Sequence, residues 1–84
     1  MELYKEIANV NSKEEFMKFI GLLIIDFKEN QDEWENRTLE SYLEGIQSWI
    51  EDMDGYFENN NIQKPENVNW NFLANILYAA KIYE

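Results

Sequence analysis

The sequence predicts a small all-α fold, a three-helix bundle with a short extra helical turn at the N-terminus. Apolar residues recur at spacings of three and four along three segments of the chain. Serine and asparagine, which cap and end helices, stand at the borders of these segments. With 84 residues, the chain is expected to form a single helical domain (1–84) with a modest core.

The first long helix is predicted to begin near Lys13 and to end near Asn30. Ser12 and Glu15 form a capping-box pattern in front of the apolar segment. The stripe expected to face inward consists of Phe16, Ile20, Leu23, Ile24 and Phe27. A buried strand over 20–27 is the alternative, because isoleucine is β-branched, but the capping box and the periodicity favour the helix. The extra N-terminal turn is expected from Leu3, Tyr4 and Ile7.

The second helix has the clearest periodicity and is predicted to run from a cap at Asn36 to about Asn59. Its apolar stripe consists of Leu39, Tyr42, Leu43, Ile46, Trp49, Ile50, Met53, Tyr56 and Phe57. Gly45 lowers helix propensity there and indicates close packing. Asparagine at 59–61 is typical of a helix end, because asparagine tolerates left-handed conformations.

Residues 61–69 contain the single proline, Pro65, and are predicted to form a loop. A cap at Asn69 or Asn67 then starts a third helix that is expected to reach Tyr83. Its inward stripe consists of Phe72, Leu73, Ile76, Ala80 and Tyr83. The opposite face is almost uncharged and is therefore a candidate surface for self-association as a homodimer. The self-association candidates are Asn71, Asn75, Tyr78 and Ile82.

Seventeen acidic residues against seven basic residues and no histidine give a net charge of -10. This charge repels phosphate backbones and anionic lipids, so direct binding of nucleic acid or membrane is not expected, whereas a basic protein would be attracted. The absence of cysteine excludes disulfides and zinc–thiolate sites. The chain shows no secretory signal pattern and no apolar run that could span a bilayer, so a cytoplasmic location is expected.

No catalytic residue, metal ligand or cofactor is predicted, and the chain is not expected to be an enzyme. The carboxylates, hydroxyls and lysines do not stand at a recognisable catalytic spacing. Residues 51–55 resemble part of a calcium loop, but Ile50 and Asn61 fall where acidic ligands are needed. A carboxylate metal enzyme is therefore the least favoured alternative.

Acidic residues in and before the second helix are candidates for binding a basic protein. Four glutamates line one stripe of that helix, and repulsion between Glu40 and Glu44 costs a few tenths of a kcal/mol. Solubility would also explain this stripe. Trp34 either anchors an arginine of a partner or closes the end of the bundle. The candidate partner-binding residues are Glu33, Trp34, Glu35, Glu40, Glu44, Glu51 and Glu58.

A further pattern combines the run 34–36 (Trp-Glu-Asn) with Leu39-Glu40, Tyr42-Leu43-Glu44, Trp49, Asp52 and the segment 70–84. In this pattern the chain resembles a family of short acidic bacterial proteins of unknown function, from about Phe16 to the C-terminus. Such proteins are similar in size and acidity to immunity proteins and to small accessory proteins of bacterial operons. The resemblance implies no catalytic residue. Together with the charge, it favours a protein-binding module of the immunity or regulatory type.

Overall fold

The computed structural model describes residues 3–83, which contain helices and no strand. The helices are α1 (Leu3–Glu6), α2 (Lys13–Glu29), α3 (Leu39–Asn59) and α4 (Trp70–Ala80). Two 3-10 turns, Ile7–Asn9 and Gln31–Glu33, follow α1 and α2. The all-α prediction and the extra N-terminal turn are therefore confirmed, and the alternative of a strand over 20–27 is wrong.

The capping box predicted at the start of α2 is present. The Ser12 hydroxyl accepts a hydrogen bond from the Glu15 backbone N–H at 3.1 Å. The Glu15 carboxylate reaches back and accepts from the Asn11 backbone N–H at 2.9 Å. These two bonds satisfy N–H groups that would otherwise lack partners, and they fix the first residue of α2 at Lys13.

The apolar stripe of α2 is covered differently from the prediction. Phe19 and Leu22, which lie outside the predicted stripe, are half-buried and line a shallow groove with Val10. α1 packs against this side of α2. Ile24, which the stripe placed inward, is 51% exposed, and Ile20 is exposed as well. The N-terminal turn therefore covers one side of α2 that the periodicity did not single out.

Trp34 closes the connection after α2. Its indole N–H donates to the Asp26 carboxylate at 2.8 Å, and the Asn30 amide donates to the other carboxylate oxygen at 2.9 Å. The Trp34 ring meets Phe27 edge-on at a centroid distance of 5.1 Å and stacks on Tyr42 at 6.0 Å. Trp34 is thus held by α2 on one side and by the first turn of α3 on the other.

The hydrogen bonds to Asp26 also act on its ionisation. Bonds from the Trp34 indole, and then from the Asn30 amide, favour the charged carboxylate and lower the pKa of Asp26 below its usual value of 3.8. Arg37 completes the corner by donating to the backbone carbonyls of Trp34 at 3.0 Å and Asp32 at 3.3 Å. The polar groups of this connection are therefore satisfied locally.

α3 begins at Leu39 and not at the predicted cap Asn36. Thr38 and Ser41 cap the helix reciprocally: the Thr38 hydroxyl accepts from the Ser41 N–H at 3.0 Å, and the Ser41 hydroxyl accepts from the Thr38 N–H at 3.2 Å. Asn36 instead lies beside Gly45, where an added Cβ would come within 2.8 Å of the Asn36 amide nitrogen. The close packing predicted at Gly45 is thereby confirmed.

Asn61 ends α3 in the left-handed conformation, with φ of 54°. The Ile62 N–H donates to the Phe57 carbonyl at 2.9 Å, and the Asn61 N–H donates to the Glu58 carbonyl at 3.3 Å. This pair of bonds is a Schellman motif, which needs a residue that tolerates positive φ. The asparagines at 59–61 therefore end α3 as the sequence predicted.

Asn69 caps α4, as predicted, by accepting a hydrogen bond from the Phe72 N–H at 2.9 Å. The helix ends at Ala80, three residues before the predicted end at Tyr83. The Lys81 N–H bonds to the Tyr78 carbonyl and the Ile82 N–H to the Ala79 carbonyl, so the chain tightens into a turn. Ile82 accordingly lies beyond α4.

The chain divides into two compact units, an N-terminal unit up to Ser48 and a C-terminal unit from Trp49. The division falls inside α3, and the single domain remains a prediction. No side chain within residues 3–83 is fully buried, so neither unit by itself shows the modest core expected from chain length. A unit of about 40 residues rarely closes a core without a disulfide, a metal or a partner.

Within residues 3–83, none of the helices combines the length and the hydropathy that crossing a lipid bilayer requires.

The lowered pKa of Asp26 predicts a pH-dependent contribution to stability. Because the folded-state pKa lies below the unfolded value, this contribution is complete above pH of about 4 and is lost as the pH falls through the folded-state pKa. We expect Asp26→Asn to have a lower free energy of unfolding than the wild type at neutral pH. In strong acid the two free energies of unfolding should become similar. Urea unfolding across this pH range measures the difference, with the exposed Glu29→Gln in the same helix as control. A constant difference between Asp26→Asn and wild type at every pH would contradict this role.

Two glycines of α3 predict different responses to alanine. Alanine in a helix interior is favoured over glycine by about 1 kcal/mol. An added Cβ at Gly55 meets nothing within 4 Å, so we expect Gly55→Ala to raise the free energy of unfolding by about 0.5–1 kcal/mol. Gly45→Ala should raise the free energy of unfolding by less, because the Asn36 amide must move. In an Asn36→Ala background, Gly45→Ala should give the full increase. Equal gains at both glycines in urea unfolding would contradict the contact between Asn36 and Gly45.

Candidate functional site

The C-terminal unit contains an apolar groove along the second half of α3, which we call the α3–α4 groove. Trp49, Met53 and Phe57 recur every four residues, so the helix places all three on one side. The Trp49 ring lies 5.4 Å from Tyr56 and 6.1 Å from Phe57, measured between centroids. These contacts between aromatic rings give the groove a defined wall.

The loop after α3 forms the other wall of the groove. Lys64 reaches back to Asp54, with 2.7 Å between the ammonium nitrogen and a carboxylate oxygen. This ion pair is solvent-exposed, contributes at most about 1 kcal/mol, and joins the loop to α3. The apolar residues on this side are Pro65, Val68, Trp70 and Leu73.

The groove has a volume of about 520 Å³ and is open to solvent. Trp49 and Trp70 are each 48% exposed. Indole rings that line a concave apolar surface and remain half-exposed are characteristic of sites that receive an apolar group of another molecule. Trp49 was predicted to belong to the apolar stripe of the second helix, but helical spacing did not predict this groove.

One carboxylate lines the α3–α4 groove, and two more lie beside its α3 wall. Glu66 lines it from the loop. Successive residues of an α-helix are about 100° apart, so Asp52 and Asp54 flank Met53 on its two sides. By the same geometry Glu51 and Glu58 lie on the far side of α3. Glu66 thus lines the groove, while Asp52 and Asp54 lie beside Met53 on α3, and none of these three acids belongs to the predicted stripe.

The predicted partner-binding acids fall into separate places. Glu40 and Glu44 lie one turn apart in the N-terminal unit, Glu51 and Glu58 lie two turns apart in the C-terminal unit, and all four are exposed. Glu33 and Glu35 flank Trp34 and are exposed as well, whereas Trp34 itself is half-buried in the corner between α2 and α3.

Two of the predicted self-association residues are highly exposed. Tyr78 on α4 is 72% exposed and Ile82 in the following turn is 78% exposed. The Asn75 amide donates to the Asn71 side-chain oxygen at 3.3 Å, which places these two one turn apart on α4. The Lys81 ammonium lies 5.8 Å from the centroid of the Tyr78 ring, a cation–π contact on this surface.

The described residues offer little for metal chemistry. Within 3–83, no three carboxylates lie close enough together to hold a metal ion. Asp54 of the calcium-loop-like segment is engaged with Lys64, and that segment is part of α3.

Comparison with curated proteins and with solved structures gave no significant match. A family model described as a family of unknown function (DUF7660) matches residues 12–84. The match begins at Ser12, the N-cap of α2, and includes α3 and α4, whereas α1 precedes it. Because it covers most of the chain, the protein belongs to this family of unknown function.

Proposed function

We propose that this protein is a non-enzymatic protein-binding module, of the immunity or regulatory type, that binds a basic partner protein in the bacterial cytoplasm. The observation that carries the proposal is the exposure of large apolar side chains on a chain of net charge -10. Contiguous exposed apolar surface on a small protein marks an interaction site. The net charge selects among the molecules that would bind there.

Charge argues against most classes of partner. Nucleic acids and anionic membranes are repelled by an acidic protein, and so is another acidic protein. A basic protein is attracted at long range and gains further from covering the apolar side chains. Covering them would also compensate for the incomplete burial within each unit.

The exposed glutamates of α3 fit a steering role in this proposal. Glu40, Glu44, Glu51 and Glu58 are solvent-exposed, and exposed charges mainly change association rates and their dependence on salt. Glu33 and Glu35 add to the same field near the start of α3. The negative potential would therefore raise the rate of encounter with a basic protein.

Capture from a lysate of the native host, followed by mass spectrometry and binding kinetics, tests this proposal. We expect a specific basic protein that is retained at low salt and released at high salt. Replacing Glu40, Glu44, Glu51 and Glu58 by glutamine should slow its association about tenfold at low salt. A captured set without basic proteins, or an association rate independent of both salt and these glutamates, would contradict the proposal.

Self-association is a second candidate, favoured by the exposure of Tyr78 and Ile82. In this alternative, the uncharged side of α4, with Asn71 and Asn75, forms the contact between two copies. Light scattering separates the two candidates. A dimer that Tyr78→Glu with Ile82→Glu converts to a monomer supports self-association, whereas a monomeric wild type supports the first proposal.

A further inference from the structure

We infer that the α3–α4 groove is the docking site for a basic amphipathic helix of the partner protein. The inference deepens the proposed function and rests on it, because it names the surface and the kind of segment that binds. It assigns the main contact to Trp49, Met53 and Trp70, and not to the predicted acidic stripe.

The spacing of apolar side chains along the α3 wall of the groove suits a helix as the occupant. Trp49 and Phe57, with Met53 between them, are eight residue steps apart on α3, or about 12 Å at 1.5 Å per residue. A partner helix lying along this wall would place side chains one turn apart into the groove, which is the usual arrangement when a helix binds in a groove. Met53 lies at the centre, and the flexible thioether of methionine adapts to different apolar side chains.

The charges around the groove indicate which charge a bound helix should carry. Residues 49–83 contain five acids and two bases. One of these bases, Lys64, is already paired with Asp54 at 2.7 Å, and the other, Lys81, lies by Tyr78. Glu66 and Asp52 therefore remain to receive lysine or arginine side chains that border the apolar face of the bound helix.

The same charges argue against the other occupants. A second copy would bring its own acidic groove edge against this one, and like charges facing each other weaken association. A small apolar molecule would fill the volume but leave Glu66 and Asp52 without cations. A helix that carries both apolar and basic residues satisfies both parts of the groove.

The test uses the full chain and two synthetic amphipathic helical peptides that share one apolar face. One peptide carries lysine and arginine beside that face, and the other carries glutamate at the same positions. We expect the basic peptide to bind at least about tenfold more tightly than the acidic one. The ε-methyl NMR signal of Met53 should shift on binding, while that of Met17 in α2 stays in place as an internal control.

Two charge-matched variants locate the contact. Asp52→Lys with Glu66→Lys changes the groove edges, and Glu51→Lys with Glu58→Lys makes the same change of net charge on the far side of α3. At physiological salt, where exposed charges more than about 8 Å apart are largely screened, we expect the first variant to lose at least about tenfold more affinity than the second. Circular dichroism confirms that both variants are folded, and the Met53 signal reports on the groove without any substitution.

Several outcomes would overturn the inference. Equal binding of both peptides, or binding of neither, would contradict the charge argument. Equal losses of affinity in the two variants, or a larger loss in the far-side variant, would show that the groove is not the binding site. If a basic partner is still captured from lysate in that case, the proposed function stands. Conversely, the basic peptide could bind at the groove while no basic protein is captured from lysate. The groove would then stand as a peptide-binding site, and the proposed basic partner protein would be contradicted.

Discussion

The helices of each unit carry more apolar surface than that unit covers, and most of the protein's other properties depend on this constraint. No described side chain is fully buried, and neither unit has enough residues to close a core by itself. The apolar side of α3 in the C-terminal unit becomes the wall of an open groove in consequence. The apolar side chains that stay exposed in each unit are then the same ones that are available to bind a partner.

Local hydrogen bonds define where each helix begins and ends. They compensate in part for the incomplete burial of apolar side chains. Ser12, Thr38 and Asn69 cap three helices with side-chain oxygens, and Asn61 ends α3 with a Schellman motif. Each such cap is worth about 1 kcal/mol and requires no distant contact. The Trp34–Asp26 bond adds one contact across the turn between α2 and α3. The helices are thus well specified even though their apolar faces are poorly covered.

Sequence reasoning succeeded where the cause of a structure lies within a few residues. The start of α2 and the end of α3 follow from side chains that bond to backbone groups nearby. The start of α3 was missed because Thr38 and Ser41 cap each other, which leaves Asn36 to lie beside Gly45. Periodicity predicted the face of α3 on which Trp49, Met53 and Phe57 lie. It did not predict that this face stays open, since helical spacing does not reveal how much surface is covered.

The candidate site was predictable only in part for the same reason. One wall of the α3–α4 groove is the loop that contains Lys64, whose ammonium bonds to Asp54 of α3, ten residues earlier in the chain. A pair of that separation in an irregular segment gives no periodic signal. The prediction of a protein-binding chain came from its charge. The four glutamates of the stripe lie on α3, and their role in binding stays a prediction. The position of the stripe relative to the groove required the structure.

The exposure of the three tryptophans in the free monomer tests the central claim most directly. In protein labelled with 5-fluorotryptophan, a soluble paramagnetic probe should broaden the ¹⁹F signals of Trp49 and Trp70 more than that of Trp34. Adding the basic partner should protect Trp49 and Trp70 and leave Trp34 unchanged. Equal shielding of all three in the free monomer would mean that the chain closes a core of its own, and it would contradict the open groove.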